Sequence, residues 1–119
     1  MPHFLAVYTM KPASLRRFRA LPKGEQDAVD AIGLPLWAEW ETRHAASILN
    51  RGGMVGKTLR VSRDGIAPES NDYCGYLIVE AETIDAAALM FEDHPHITVF
   101  PGDSVDIMPF LTGPDLGTA

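Results

Sequence analysis

The sequence predicts an α+β fold in the order β-α-β-β-α-β, and three features carry that expectation. Residues 3–10 and 73–81 are short runs whose two alternating sets are both largely apolar, the pattern of strands covered on both faces. Residues 34–51 and 84–93 place apolar side chains at helical spacing instead. Residues 104–110 return to strand character after Pro101-Gly102.

In chain order, the first strand puts Leu5 and Val7 on one face and Phe4, Ala6, Tyr8 and Met10 on the other. Residues 11–33 hold two prolines and many charges, and read as an irregular connection with one or two short helical turns. A connection of that length in a compact domain is often a lid or a binding element. The first firm helix is expected over Leu34–Arg51, with Pro35 in its first turn and Gly52-Gly53 ending it. Its apolar stripe is Leu34, Trp37, Ala38, Ala45, Ile48 and Leu49. Glu41 falls inside the stripe, while Trp40 and His44 sit along its edge.

Met54–Ser62 reads as a second strand, followed by the turn residues Arg63-Asp64-Gly65 and a polar connection to Asn71. Tyr73–Ala81 is the third strand. Thr83 is placed to cap a second helix, Ile84–Asp93, that turns in Ile84, Ala87, Ala88 and Phe91. Ser104–Phe110 is the fourth strand. This is the ferredoxin-like arrangement, a four-stranded antiparallel sheet with two helices on one face. Two helices cover one side only, so the apolar second faces of the first and third strands predict a two-fold homodimer, sheet against sheet.

The chain reads as one domain over 1–111 with a flexible tail over 112–119, and it shows no internal repeat. Its 46% hydrophobic and 22% charged residues are those of a globular protein. A net charge of −6 has the wrong sign for nucleic-acid binding. One local exception is the basic group Arg16, Arg17, Arg19 and Lys23, read as a solvated face or an anion-steering patch. No apolar run approaches the ~20 residues of a membrane helix. With Cys74 as its one cysteine and no secretory signal at the start, the expected location is cytoplasmic.

The stretch Asp93-His-Pro-His carries the first candidate site. His94 and His96 are expected to project from a stiff corner at the end of the second helix, since the residue before a proline is pushed out of helical geometry. Histidine titrates nearest neutrality, so His96 suits acid–base work, with Asp93 and His94 as orienting groups. The competing reading makes His96 a structural residue that pins the turn to a backbone carbonyl. The second candidate is the i, i+3 pair Glu41 and His44. Tyr8, Trp37, Trp40 and Met108 are the expected lining of an aromatic-friendly ligand pocket, with Phe91 left to the core. Asp93, His94 and His96 lack the spacing of a zinc site, so neither metal nor cofactor is expected.

The chain also resembles the YCII-related family. The residues that carry the resemblance are Phe4-Leu-Ala-Val-Tyr-Thr, Gly53-Met-Val, Gly75-Tyr-Leu-Ile-Val-Glu-Ala, Thr83-Ile-Asp-Ala-Ala, His94-Pro-His-Ile, Gly102-Asp-Ser-Val and Ile107-Met-Pro-Phe. Where many members have Asp-Gly-Pro-Phe ahead of the third strand, this chain reads Glu69-Ser-Asn-Asp-Tyr. The resemblance implies the dimeric α+β barrel and a histidine at His96. It also implies kinship with small enzymes that act on aromatic or lactone compounds, among them isomerases, dehalogenases and cofactor-free oxygenases. Two functions follow as expectations. One is a cofactor-free enzyme of acid–base chemistry on a small aromatic or cyclic compound, and the other a non-catalytic ligand-binding or accessory dimer.

Overall fold

The computed structural model describes residues 1–111. In chain order it contains β1 (His3–Thr9), α1 (Pro12–Arg19), α2 (Lys23–Arg43), β2 (Ile48–Met54), β3 (Thr58–Ser62) and β4 (Gly65–Glu69), then β5 (Tyr73–Glu80), α3 (Ile84–Met90), α4 (Pro95–Thr98) and β6 (Ser104–Pro109). Four strands pair antiparallel in the order β2-β5-β1-β6, the ferredoxin-like arrangement, while β3 and β4 form a separate hairpin. The tail 112–119 lies outside the described residues.

Strand alternation sorts the sheet into two faces. Phe4, Ala6 and Tyr8 of β1 share the helix face with Leu77 and Val79 of β5, and Val105 and Ile107 of β6 pack against them. Trp40, Ala87 and Phe91 close that core from the helix side. Leu5, Val7, Tyr76, Ile78 and Met108 occupy the other face, which no helix covers. The molecule measures 18 Å along its shortest axis, a sheet with one layer of helix.

The helical content begins earlier than the sequence suggested. Residues 11–33 are not an irregular connection: they contain α1 and the first half of α2. Pro35 lies inside α2 and does not start it. Its ring removes one N–H from the ladder, a local defect that the long flanking turns absorb. The inward positions in the C-terminal half of α2 are Gly33, Trp37, Trp40 and Glu41, with His44 just past its end, whereas Leu34 is 61% exposed. The expected stripe was therefore rotated, because it borrowed Ile48 and Leu49, which belong to β2.

β2 replaces the expected helix end. A 3-10 turn at Ala45–Ser47 reverses the chain after His44, and Ile48–Met54 runs along the edge of the sheet. Its pairing with β5 slips twice, between Ile48 and Asn50 and between Asn50 and Gly53. Each slip inserts an unpaired residue that bows the strand outward. Gly52 makes the second one possible, because its φ of +57° suits glycine and a Cβ there would strike the Tyr76 carbonyl. The expected strand Met54–Ser62 is thus two elements. The polar stretch after it pairs back as β4, so Leu59, Val61, Ile66 and Pro68 share one face of a hairpin.

Candidate functional site

The corner at residues 91–103 is not the end of one helix. α3 stops at Met90, and His94 caps a second short helix, α4, with Pro95 at its first position. Both histidines turn inward: His94 is 0% and His96 is 1% exposed. The His96 imidazole Nε2 lies 2.8 Å from the Thr9 carbonyl and must donate to it. The same carbonyl accepts from the Asp103 backbone N–H at 3.0 Å. His96 thus ties α4 to the end of β1. Gly102 completes the fit, since a Cβ there would run into the His96 ring. Replacing His96 by alanine leaves this carbonyl with the Asp103 N–H alone. The lost bond is worth about 0.5–1.5 kcal/mol of stability, and the emptied space of the buried ring adds to the loss. A thermal melt of His96→Ala against the parent protein measures it, and an unchanged midpoint would remove the clamp.

His94 has a different task. Its Nδ1 accepts the His96 backbone N–H at 2.9 Å, and its Nε2 lies 3.2 Å from the Tyr8 hydroxyl. An Nδ1 that accepts is bare, so the ring proton sits on Nε2 and is donated to Tyr8 Oη. The Tyr8 hydroxyl keeps its own proton to give elsewhere. Around the imidazole stand Trp37 with its ring centroid at 4.4 Å, Trp40 at 4.5 Å and Phe91 at 5.9 Å. Burial in this cage, with His96 adding to it, pulls the His94 pKa down to about 3. His94 stays neutral at physiological pH.

Tyr8 faces a cavity of 260 Å³ between the C-terminal half of α2 and the bowed edge strand. Trp37 and Leu77 line it beside Tyr8, Glu41 and Arg51 form its charged side, and Gly52, Gly53, Met54 and Tyr76 its rim. Burial raises the Tyr8 pKa well above the usual phenol range, and the nearby Glu41 carboxylate adds to the rise. The phenol is held neutral as a hydrogen-bond donor. Arg51 Nε donates to Glu41 Oε2 at 3.0 Å across the mouth. On the far side of that ion pair lies a second hollow of 330 Å³, lined by Ala38, Thr42, Ala45 and Ile48.

The residues singled out in the sequence therefore separate into groups. Tyr8, Trp37 and Glu41 share the cavity, with His94 directly behind Tyr8. His96 lines neither of the two hollows. Glu41 and His44 do not form a pair: Glu41 bonds Arg51, and His44 packs its ring 4.7 Å from Trp40. Burial lowers the pKa of His44, and Arg43 adds to that. Asp93 reaches neither histidine ring, and its carboxylate accepts from Arg43 at the surface at 3.1 Å. Trp40 is not a pocket residue. It is 0% exposed and its indole N–H donates to the Met90 carbonyl at 2.8 Å. Met108 pairs opposite Leu5 on the uncovered sheet face, away from Tyr8 and Trp37. Arg17 of the basic group donates to Ser14, which in turn donates to Asp103, so that residue serves the α1 anchor.

Arg51 and the Gly52-Gly53 pair went unnoticed as site residues because the sequence placed them at the end of a helix. The signal was present in the adjacent glycines, which a bulged edge strand uses as readily as a helix terminus does. Cys74 donates to the Tyr8 carbonyl at 3.3 Å, and burial pushes its thiol pKa up to about 11. Among the described residues no three His, Cys, Asp or Glu side chains are grouped to hold a metal ion, and no helix is long and apolar enough to cross a membrane.

No family model matches the chain, and no curated protein matches its sequence. Among solved structures it is similar to 5-chloro-2-hydroxyhydroquinone dehydrochlorinase from Burkholderia phenoliruptrix AC1100, in complex with 2,5-dihydroxybenzoquinone. That similarity has a TM-score of 0.53 and 18% identity over 94% of this chain and 96% of the other. At that identity the likeness is one of fold. It spans nearly the whole of both chains, so the βαββαβ sheet and its helices are common to both.

Proposed function

We propose that this protein is a small acid–base enzyme of the YCII type, acting on a single-ring aromatic or quinonoid compound in the cavity beside Tyr8. The observation that carries the reading is the Tyr8 hydroxyl, fixed by a neutral His94 and left with a proton to donate beside Glu41. A donor preset toward developing negative charge on oxygen is worth roughly 10²–10³ in rate. Glu41 supplies the base. In an elimination it takes one proton from the substrate while a halide leaves with its bonding electron pair, and Tyr8 holds the oxygen on which charge builds. In an isomerisation Glu41 returns the same proton at a second carbon. A void of about 150 Å³ already accepts benzene, so a cavity of 260 Å³ has room for one substituted ring. A fold neighbour that is a dehydrochlorinase of a chlorinated hydroquinone makes such compounds the first to try.

The test is chloride release and quinone absorbance with a panel of chlorinated hydroquinones. Tyr8→Phe is expected to lose about 10²–10³ in rate. It also leaves the buried His94 Nε2–H without its acceptor, at about 1–3 kcal/mol of stability, so rates are compared at a temperature where both proteins are folded. A full rate in Tyr8→Phe would sink the assignment. Stoichiometric binding without turnover would favour the second reading, a non-catalytic ligand-binding dimer, to which the fully engaged His94 and His96 lend support. Both readings include a homodimer joined through the uncovered sheet face of Leu5, Val7, Ile78 and Met108. Sedimentation at micromolar concentration checks it, and a monomer there rules it out.

A further inference from the structure

We infer that Arg51 is the specificity residue of this cavity, and that its ligand is a single-ring compound carrying an anionic oxygen, which takes Arg51 away from Glu41. The inference rests on the acid–base reading above and adds the charge of the substrate to it.

Four observations support it. Arg51 and Glu41 line both hollows, so the ion pair divides one continuous groove along the inner edge of β2. The two partners differ in setting: the Arg51 side chain is 76% exposed and that of Glu41 is 24% exposed. A pair with one partner in solvent is worth about 1 kcal/mol or less, so a second anion displaces it readily. The bond engages Nε, which leaves the terminal N–H₂ groups of the guanidinium for a further acceptor. That geometry suits a carboxylate, whose two oxygens a guanidinium binds through two parallel N–H bonds, while a phenolate takes one charge-assisted bond. Finally, the wall opposite is aromatic, with Tyr8 and Trp37 at a centroid separation of 5.1 Å. An aromatic wall, a cation and a neutral phenol donor together select a ring with an acidic substituent.

The consequence for chemistry is an order of events. In the free protein Arg51 holds the Glu41 carboxylate. When the anionic group of the ligand takes the guanidinium, Glu41 is released beside Tyr8, and the base becomes available only when a ligand is present.

Calorimetric titration with 2,5-dihydroxybenzoate and its uncharged amide tests this. The parent protein is expected to bind the carboxylate at least about tenfold more tightly than the amide. Arg51→Gln should remove the difference, and Arg51→Lys should keep part of it, since a lysine supplies charge without the paired geometry. Glu41→Gln should tighten the carboxylate several-fold, because the competitor for Arg51 is gone. Tyr8→Phe should weaken both probes. If both probes bind the parent protein equally, or if Glu41→Gln weakens the carboxylate, the role of Arg51 is overturned while a Tyr8-dependent site survives. If neither probe binds, the cavity reading falls as well.

Discussion

Trp40→Ala is expected to remove about 3–5 kcal/mol of stability, the usual range for a large aromatic taken from a core. Trp40 is the largest fully buried side chain among the described residues, packed on Phe91 at 4.8 Å and on His94 at 4.5 Å. Its loss also leaves the Met90 carbonyl without the indole donor, at the last residue of α3. Domains of this size hold only about 5–15 kcal/mol in total, so the variant should melt far below the parent protein. Denaturant unfolding read by circular dichroism measures the change. A loss below about 1 kcal/mol would mean that the indole is not the keystone between α2 and α3, and would return Trp40 to the pocket lining.

Acid is expected to destabilise this protein well before its carboxylates titrate. His94 has a pKa of about 3 when folded, against 6.5 when free. Between those values the unfolded chain binds a proton that the folded one refuses, so stability rises with pH across the window. The contribution is fully present above pH 6.5 and is lost as pH falls toward 3. One such group gives a slope of up to about 1.4 kcal/mol per pH unit. Burial lowers His96 and His44 as well, which steepens the upper part of the same window. Asp103, pulled down by the Lys11 backbone N–H and the Ser14 hydroxyl, loses its contribution only below the ordinary carboxylate range. Urea midpoints measured from pH 7 to 4.5 separate the two effects. A flat profile over that range would mean that His94 accepts a proton in the fold, and the fixed Tyr8 donor would go with it.

The strands were legible because two-sided apolar runs have few alternatives. Phe4, Ala6 and Tyr8 against Leu5 and Val7 place β1 at the centre of a sheet, and the structure has it there, between β5 and β6. Thr83 caps α3 as its spacing required, accepting from the Ala86 N–H at 3.1 Å. The long helix was misplaced by eleven residues at its start, because Pro35 and Gly52-Gly53 carry the local chemistry of helix ends. Position along the chain decides between a helix terminus and a bulge, and only the pairing of β2 with β5 reveals it. For the same reason Glu41 was seen and Arg51 was not. The inward turn of His94 and His96 depends on Thr9 and Tyr8, more than eighty residues away, which no local pattern reports.

The central position of β1 also has a consequence for how the chain is made. It is synthesised before the other strands of its sheet, and its neighbours begin at Tyr73 and Ser104. At about 5–20 residues per second, β1 waits several seconds with both hydrogen-bonding edges empty and apolar side chains on both faces. Pairing offers it nothing in that interval, since α1 and α2 follow it and the strands made before β5 pair with β5 or with each other. Folding of the sheet therefore waits for β5 and β6, and is governed by closure between distant segments. During that interval Phe4–Tyr8 stays extended and apolar, and a chaperone that binds such segments has a natural target there.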